Sequence, residues 1–257
     1  MQPCIQKGDG RLKMIYRARA GQVAYGYAIG MLCAEWHIPF VPGDLNNAWT
    51  FDFPVRYQSV TGVVGSGVLA GSGEGFAQSM GEAARRLEDE GVRAITGNCG
   101  FMAAYQSYVA EQVSIPVFLS SLLQIPMLTS MLGPSRTLGV ITANGAGMTP
   151  ELLSAIGIDD HSRFVIQGLE NSEHFNSAIL QETGELDDER IREEVVQACL
   201  DLLAREPSVA AFLLECSDLP PYSKEIHAAT GLPVFDWANY IRYVYGAVVP
   251  RNYSGFA

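Results

Sequence analysis

Two stretches of this chain follow one plan, and that duplication limits the fold more than any other feature. The first runs Ala94-Ile-Thr-Gly-Asn-Cys99-Gly-Phe101 and reaches Pro116-Val117-Phe118. The second runs Ala211-Phe-Leu-Leu-Glu-Cys216-Ser-Asp218 and reaches Pro233-Val234-Phe235. In each, an apolar run leads into a cysteine, a tyrosine follows six residues later (Tyr105, Tyr222), and Pro-Val-Phe begins seventeen residues after the thiol. Agreement at that separation marks a structural repeat with a thiol at the same place in each half.

The rest of the chain arranges itself around that repeat. Residues 1 to 20 are polar and basic and read as a loosely held arm. Val23 to Leu32 is continuous and apolar, as a strand buried on both faces requires. Lys13, Arg17 and Arg19 before it give it the look of a signal peptide, but Tyr25, Tyr27, Trp36 and Glu35 and the lack of a small-residue cleavage site favour the strand. The turn cluster Pro42-Gly43-Asp44-Leu-Asn46-Asn47 and the aromatics Trp49, Phe51 and Phe53 form a long loop, either a lid or a surface loop pinned by its rings. Val60 to Leu69 reads as a second strand. Phe76, Met80, Ala84 and Leu87 mark a helix face that Gly91 stops. A strand at 94–96, a helix at 101–113 and a strand at 117–119 complete the first half. A helical segment over 122–132 bends or starts late at Pro126.

Thr137 to Thr142 opens the second half as Ala28 to Leu32 opens the first. A glycine-rich turn (143–148) precedes the helix start Thr149-Pro150-Glu151. A strand at 163–166, a helix at 187–204, a strand at 209–214, a helix at 221–230 and a strand at 234–235 follow. The segment 237–249 is apolar enough to pack back on the body. Strand and helix alternate, which predicts an α/β fold of two pseudo-symmetric parallel-sheet domains with the site in the cleft between them. Residues 1–120 plus 237–257 would carry Cys99, and residues 121–236 would carry Cys216.

Composition narrows the partners. With 48% apolar and 18% charged residues over 257 positions, the chain can bury a large core and is neither disordered nor fibrous. A net charge of −11 argues against a nucleic-acid partner. An anionic ligand would need local backbone N–H groups, since the overall field repels it. Five cysteines without CxxC spacing suggest neither a disulfide framework nor a zinc site, and point to a reducing, cytoplasmic setting. No run reaches the ~18 apolar residues of a membrane span. Gly65-Ser-Gly67-Val-Leu-Ala70 fits the dinucleotide pattern in letters only, because Gly71, Gly73 and Gly75 break the helix that should hold the pyrophosphate.

Each repeated thiol sits between a strand end and a helix start, where N–H groups and the positive dipole end favour a thiolate. Cys4, Cys33 and Cys199 have no such placement and read as small buried hydrophobes. Two thiols facing each other across a cleft suit removal of a proton from carbon on one face and its return on the other. The enediolate that forms needs preorganised donors. The amides of Gly100, Phe101, Ser217 and Asp218 and the side chains of Asn98, Thr142, Asn144 and Ser217 are the candidates for holding substrate. No metal ligand set is evident, and Lys7, Lys13 and Lys224 are poorly placed for a pyridoxal Schiff base, so no cofactor is expected. Glu215 would disfavour the Cys216 thiolate by like charge if it faced the site, making Cys216 the resting acid and Cys99 the resting base. His227 has no counterpart in the first half, and no histidine has a strong claim to the site.

Asn98-Cys99 after one strand, Glu215-Cys216-Ser217 after its twin, and Gly139-Val-Ile-Thr142 leading to a glycine-rich turn resemble the aspartate/glutamate/hydantoin racemase superfamily, over most of residues 23 to 237. The Pro42-Gly43-Asp44 to Phe53-Pro54 segment resembles a loop of its less characterised members. The resemblance implies cofactor-independent two-base catalysis by Cys99 and Cys216 on a small carboxylate or cyclic amide, and a homodimer. Amino-acid racemases of that group have Cys-Asn-Thr at the first thiol, where this chain has Cys99-Gly100-Phe101. Glutamate racemases have Asp-Ser-Gly at the first strand and Cys-Thr-His at the second thiol, where this chain has Leu32-Cys33-Ala34 and Cys216-Ser217-Asp218. Glutamate is thereby disfavoured, and Phe101 with the 49–53 aromatics suggests a less polar substrate. The expected activity is a racemase or epimerase. The alternatives are a decarboxylase of malonate-type acids or a cis-trans isomerase on the same scaffold, and a non-catalytic binding module. One-thiol decarboxylases of the group lack the first cysteine, so Cys99 weighs against that branch.

Overall fold

Eight of the ten described strands form two parallel sheets of identical winding. The structure is a computed structural model and describes residues 4–8, 11–15, 24–69 and 75–256. At the start, β1 (Cys4–Gly8) and β2 (Arg11–Ile15) pair antiparallel, so the segment expected as a loose arm holds a two-stranded ribbon. The Cys4 side chain, Val23 and residues 70–74 with their glycines lie outside the described residues.

The first sheet contains β3 (Ile29–Glu35), β4 (Val55–Val64), β5 (Ala94–Gly97) and β6 (Val117–Phe118), in the order β4-β3-β5-β6. The second contains β7 (Thr137–Thr142), β8 (Phe164–Gly168), β9 (Val209–Leu214) and β10 (Val234–Phe235), in the order β8-β7-β9-β10. Every pairing within both sheets is parallel. The repeat seen in the sequence is therefore a repeat of topology, with β5 and β9 the equivalent strands and a thiol just past the end of each.

Nine α-helices cover the sheets among the described residues: α1 (Gly65–Leu69), α2 (Phe76–Glu90), α3 (Gln106–Glu111), α4 (Ile125–Met131), α5 (Pro150–Ser154), α6 (Glu173–Phe175), α7 (Asp188–Arg205), α8 (Ser223–Thr230) and α9 (Trp237–Val248). Helix α2 buries Met80, Ala83, Ala84 and Leu87 along one stripe, each large side chain contributing about 1.5–3 kcal/mol. Leu87 presses on Gly30 of β3, where a Cβ would fall 2.8 Å from its Cδ1, so the bare glycine sets how closely helix and strand approach. Helix α7 starts where the Asp187 side chain accepts the Arg190 N–H, and turns Ile191, Val195, Cys199 and Leu202 inward.

Three local expectations change. The first strand begins at Ile29 rather than Val23. The strand expected over 60–69 ends at Val64, and Gly65–Leu69 is helical, because the Trp36 ring occupies the space a Gly65 side chain would need and the chain turns beneath it. The helix expected over 101–113 is a 3-10 turn (Gly100–Tyr105) leading into α3, started by the Met102 N–H bonding to the Cys99 carbonyl at 2.9 Å. The late start at Pro126 holds, with a 3-10 turn over Ser121–Gln124 and Pro126 in the first turn of α4.

One apolar cluster joins the two halves, bringing Ile95 and Leu122 together with Leu138, Val140 and Leu213. Helix α9 lies on the first sheet: Trp237 and Ile241 are fully buried in a cluster with Ile29, Met31 and Phe118, and the Trp237 Nε1–H donates to Thr96 Oγ1 at 3.2 Å.

Candidate active site

Both thiols open onto one cavity. Cys99 follows β5 directly after Asn98, and Cys216 follows β9 after Glu215; each is under a tenth exposed. The cavity is narrow, with about 10 Å³ of room, and is walled by Cys99, Gly100, Phe101, Ala143, Glu215, Cys216, Ser217 and Asp218 from the two strand ends. Trp36, Ile179 and Leu180 close the remaining side.

The two cysteines are not equivalent. Cys99 has extended backbone at the start of a 3-10 turn, and the N–H groups of Phe101 and Met102 point at its sulfur, which favours the thiolate. Burial outweighs them and, with Glu215 second, pushes the thiol up. The Cys216 Sγ–H donates to Asp218 Oδ2 at 3.1 Å, and burial, then Asp218, then Glu215 hold it well above the usual thiol range. Like charge acts on Cys216 after burial, and its larger source is Asp218, with Glu215 behind it.

Glu215 directly precedes Cys216, lies against Gly100 beside Cys99, and is buried to 1% exposure. Its Oε2 accepts the Thr142 hydroxyl at 2.8 Å, while Oε1 has no hydrogen-bond partner. Burial, opposed by the Thr142 bond and by the Ala143 N–H and reinforced by Asp218, raises the carboxyl to about 7. A Cβ on Gly100 would overlap Oε1, so the glycine directly after the first thiol is what admits this carboxylate.

The expected substrate-holding residues divide. Gly100, Phe101, Ser217 and Asp218 line the cavity, and Thr142 reaches it through Glu215. Asn98 does not line it: its Oδ1 accepts the Ala34 N–H at 2.9 Å and its Nδ2 donates to Ala34 O and Asn46 Oδ1, tying β3 and the following loop to the end of β5. Asn144 caps its own turn, accepting the Gly147 N–H at 3.3 Å. The His227 Nδ1 pairs with the Leu232 carbonyl at 2.7 Å, away from the cavity. Cys199 is fully buried and Cys33 partly so, as expected of packing residues.

The 42–54 loop reaches the site with its polar end. The Leu45 N–H donates to the Ser217 carbonyl at 3.3 Å, and the Asp44 carboxyl, 1% exposed, hydrogen-bonds Asp218. Burial and then Asp218 raise Asp44 well above the usual carboxylate range. The loop's aromatics face away: Phe53 stacks on Tyr245 of α9 at 3.7 Å and Trp49 is 91% exposed. Trp36, Ile179 and Leu180 carried no signal in the sequence. Ile179 and Leu180 sit on a π-helical turn, Asn176–Leu180, a local form that occurs often at functional sites. The Trp36 segment is held against that region by the His37 N–H, which donates to Glu182 Oε2 at 2.7 Å.

Among the described residues, no group of three His, Cys, Asp or Glu is placed to hold a metal ion, and no helix is long and apolar enough to cross a membrane.

No protein-family model matches the chain. It is 31% identical over 215 residues to a dimethylsulfoniopropionate lyase of Durusdinium sp. clade D, covering 81% of this chain and 71% of the relative. Dimethylsulfoniopropionate lyase 6 of Emiliania huxleyi (strain CCMP1516) is 33% identical over 220 residues, covering 81% of this chain and 56% of the relative. The chain thus spans between about half and three quarters of these two relatives. Among solved structures, an allantoin racemase from Klebsiella pneumoniae superposes with a TM-score of 0.60 at 13% identity, over 86% of this chain and 88% of that one. Unliganded arylmalonate decarboxylase gives 0.57 at 18% identity, over 88% and 94%. These structural likenesses show a shared fold.

Proposed function

Because the chain belongs to the dimethylsulfoniopropionate lyase family, built on the fold of the aspartate/glutamate/hydantoin racemase superfamily, we propose that it eliminates dimethyl sulfide from dimethylsulfoniopropionate or a close sulfonium acid. The reaction starts as the expected racemisation would start, with a base taking the proton α to a carboxylate. It then diverges: the electron pair forms a carbon–carbon double bond, the β carbon–sulfur bond breaks with its pair going to sulfur, and the products are neutral dimethyl sulfide, acrylate and one proton on the base. A β leaving group is all that separates a lyase from a racemase on this scaffold, so the two-thiol cavity expected of an isomerase serves equally here.

The single observation that carries the reading is the character of the cavity wall. It presents two thiols, the carboxyl groups of Glu215 and Asp218, and the rings of Trp36 and Phe101, with no Lys or Arg among its described lining residues. A dicarboxylate would meet uncompensated negative charge there. A zwitterion with a sulfonium at one end meets carboxylate and aromatic rings, both of which attract cations. Its single carboxylate would be held by the backbone N–H groups of Gly100 and Ser217, where the enediolate charge also develops. We assign Cys99, with its two N–H donors, as the proton acceptor, and Cys216, hydrogen-bonded to Asp218, as the thiol acid opposite. Removing a positioned base costs typically about 10²–10⁴-fold.

The test supplies dimethylsulfoniopropionate to the full chain and follows headspace dimethyl sulfide by gas chromatography, with α-carbon exchange in deuterium oxide followed by NMR. Release at rates that fall at least a hundredfold in Cys99→Ser is expected. Exchange without release would return the chain to the racemases, and release surviving in both Cys99→Ser and Cys216→Ser would overturn the thiol assignment.

A further inference from the structure

The most unusual group in the cavity is the one neither thiol accounts for. Glu215 Oε1 is buried, has no hydrogen-bond partner, and lies on the Gly100 side of the wall between Cys99 and Cys216. A buried carboxylate oxygen left unpaired costs several kcal/mol unless something with a proton or a positive charge completes it. Its sister oxygen is fixed by the Thr142 hydroxyl, so the carboxyl cannot swing away to find water. Among the described residues, no basic side chain lines the wall to serve as its partner. The charged and titratable groups facing it are Cys99, Cys216 and Asp218, with Asp44 behind Asp218, and all of them are acids.

We propose that Glu215 is the specificity-determining residue of this site: its Oε1 pairs with a permanent cation on the substrate, seated between that oxygen and the rings of Trp36 and Phe101. The ligand class is a small carboxylate with a sulfonium or quaternary ammonium two carbons away. This deepens the lyase reading and rests on it for the identity of the natural cation. A permanent cation has no proton to give up, so it completes the carboxylate by charge alone, and ring faces add to the attraction most where water is excluded. It also acts on the chemistry. Burial first, and the like charge of Glu215 behind it, hold both thiols protonated, and a cation placed against Glu215 offsets its part of that field. The free protein then keeps its thiols inert, and the substrate's own charge favours the thiolate that attacks it.

The experiment compares two probes of one shape by calorimetric titration of the full chain. 3-(Trimethylammonio)propionate carries the cation on a group that leaves far more slowly than dimethyl sulfide; 4,4-dimethylpentanoate replaces the charged nitrogen with carbon. At pH 8.5 the cationic probe should bind at least tenfold more tightly, and in Glu215→Gln that ratio should fall to near one. A second measurement needs no variant: in the unmodified protein the ratio should shrink at least threefold at pH 5.5, where Glu215 takes up a proton. Equal binding of the two probes, or a ratio unmoved by both the substitution and the pH, overturns the proposal. Dimethyl sulfide release without preference for the cation would leave the lyase reading and remove the seat. Preference for the cation without release would do the reverse.

Discussion

Glu215 and Gly100 fit together as carboxylate against bare backbone: any Cβ at position 100 would overlap Glu215 Oε1. The residue after the first thiol is therefore fixed by the residue before the second, across the two halves of the repeat. Gly100→Ala should displace a carboxyl that the Thr142 hydroxyl anchors and that is buried on every side. The expected result is a stability loss of about 1–3 kcal/mol by urea denaturation, typical of overpacking, and a fall in dimethyl sulfide release of at least tenfold. Normal stability and activity would mean the carboxyl moves aside freely.

The raised Glu215 carboxyl also sets a pH dependence of stability. Its folded value, about 7, lies above the ordinary 4.5 of a glutamate, so between those limits the folded state binds the proton more tightly than the unfolded chain. Stability from this group is fully present below pH 4.5 and is lost as pH rises through about 7. The shift corresponds to about 3 kcal/mol. Denaturation at pH 5 and pH 8 should show that loss in the unmodified protein relative to Glu215→Gln, which has no such proton to lose. Parallel curves for the two would mean Glu215 does not titrate in this range.

Much of this arrangement was legible in the sequence, and the reason is physical. Parallel strands buried on both faces must be continuous apolar runs, so β5 and β9 and the thiols at their ends stand out, and the shared spacing to Pro-Val-Phe follows from the same loop and helix length in each half. Glu215 was visible as a neighbour of Cys216 but not as a neighbour of Gly100, because no local pattern encodes a contact between two strand ends. Trp36 belongs to a loop, and Ile179 and Leu180 to one π-helical turn, segments too short for their apolar residues to show a period. Asn98 and Asn144 looked like substrate-holding groups because their type and position fit. Asn98 spends its amide tying together three chain segments, and Asn144 caps a turn, roles that depend on partners many residues away or on backbone geometry. The proposed activity turns on a β leaving group of the substrate, which no spacing of protein residues records.

Asp218 keeps the Cys216 thiol protonated by accepting its hydrogen at 3.1 Å and by its charge. Asp218→Asn removes the charge and keeps the shape, so the Cys216 pKa should fall. Each unit of fall raises the thiolate fraction about tenfold. Iodoacetamide labelling at pH 8, read by peptide mass spectrometry against Cys33 and Cys199 in the same molecule, should show Cys216 labelled at least about threefold faster than in the unmodified protein. Unchanged or slower labelling would mean that burial alone holds the thiol.

Gly43 is where the 42–54 loop meets the second thiol's turn. Its φ of +104 suits glycine, and a Cβ there would fall 3.0 Å from Pro221 Cα, with the Leu45–Ser217 and Asp44–Asp218 bonds immediately beyond. Gly43→Ala combines strain, about 1–3 kcal/mol, with a backbone contact that only lifting the loop relieves. Gly231→Ala serves as the control, since Gly231 also has positive φ, at +68, but a Cβ there would meet nothing within 4 Å. Both variants should lose comparable global stability. Only Gly43→Ala should speed limited proteolysis within 42–54 and slow dimethyl sulfide release, because only there does the strain fall on the contact that holds Asp44 against Asp218. Equal proteolysis in the two variants would mean the loop is held by its aromatic anchors, Phe51 and Phe53, rather than by its docking at Cys216.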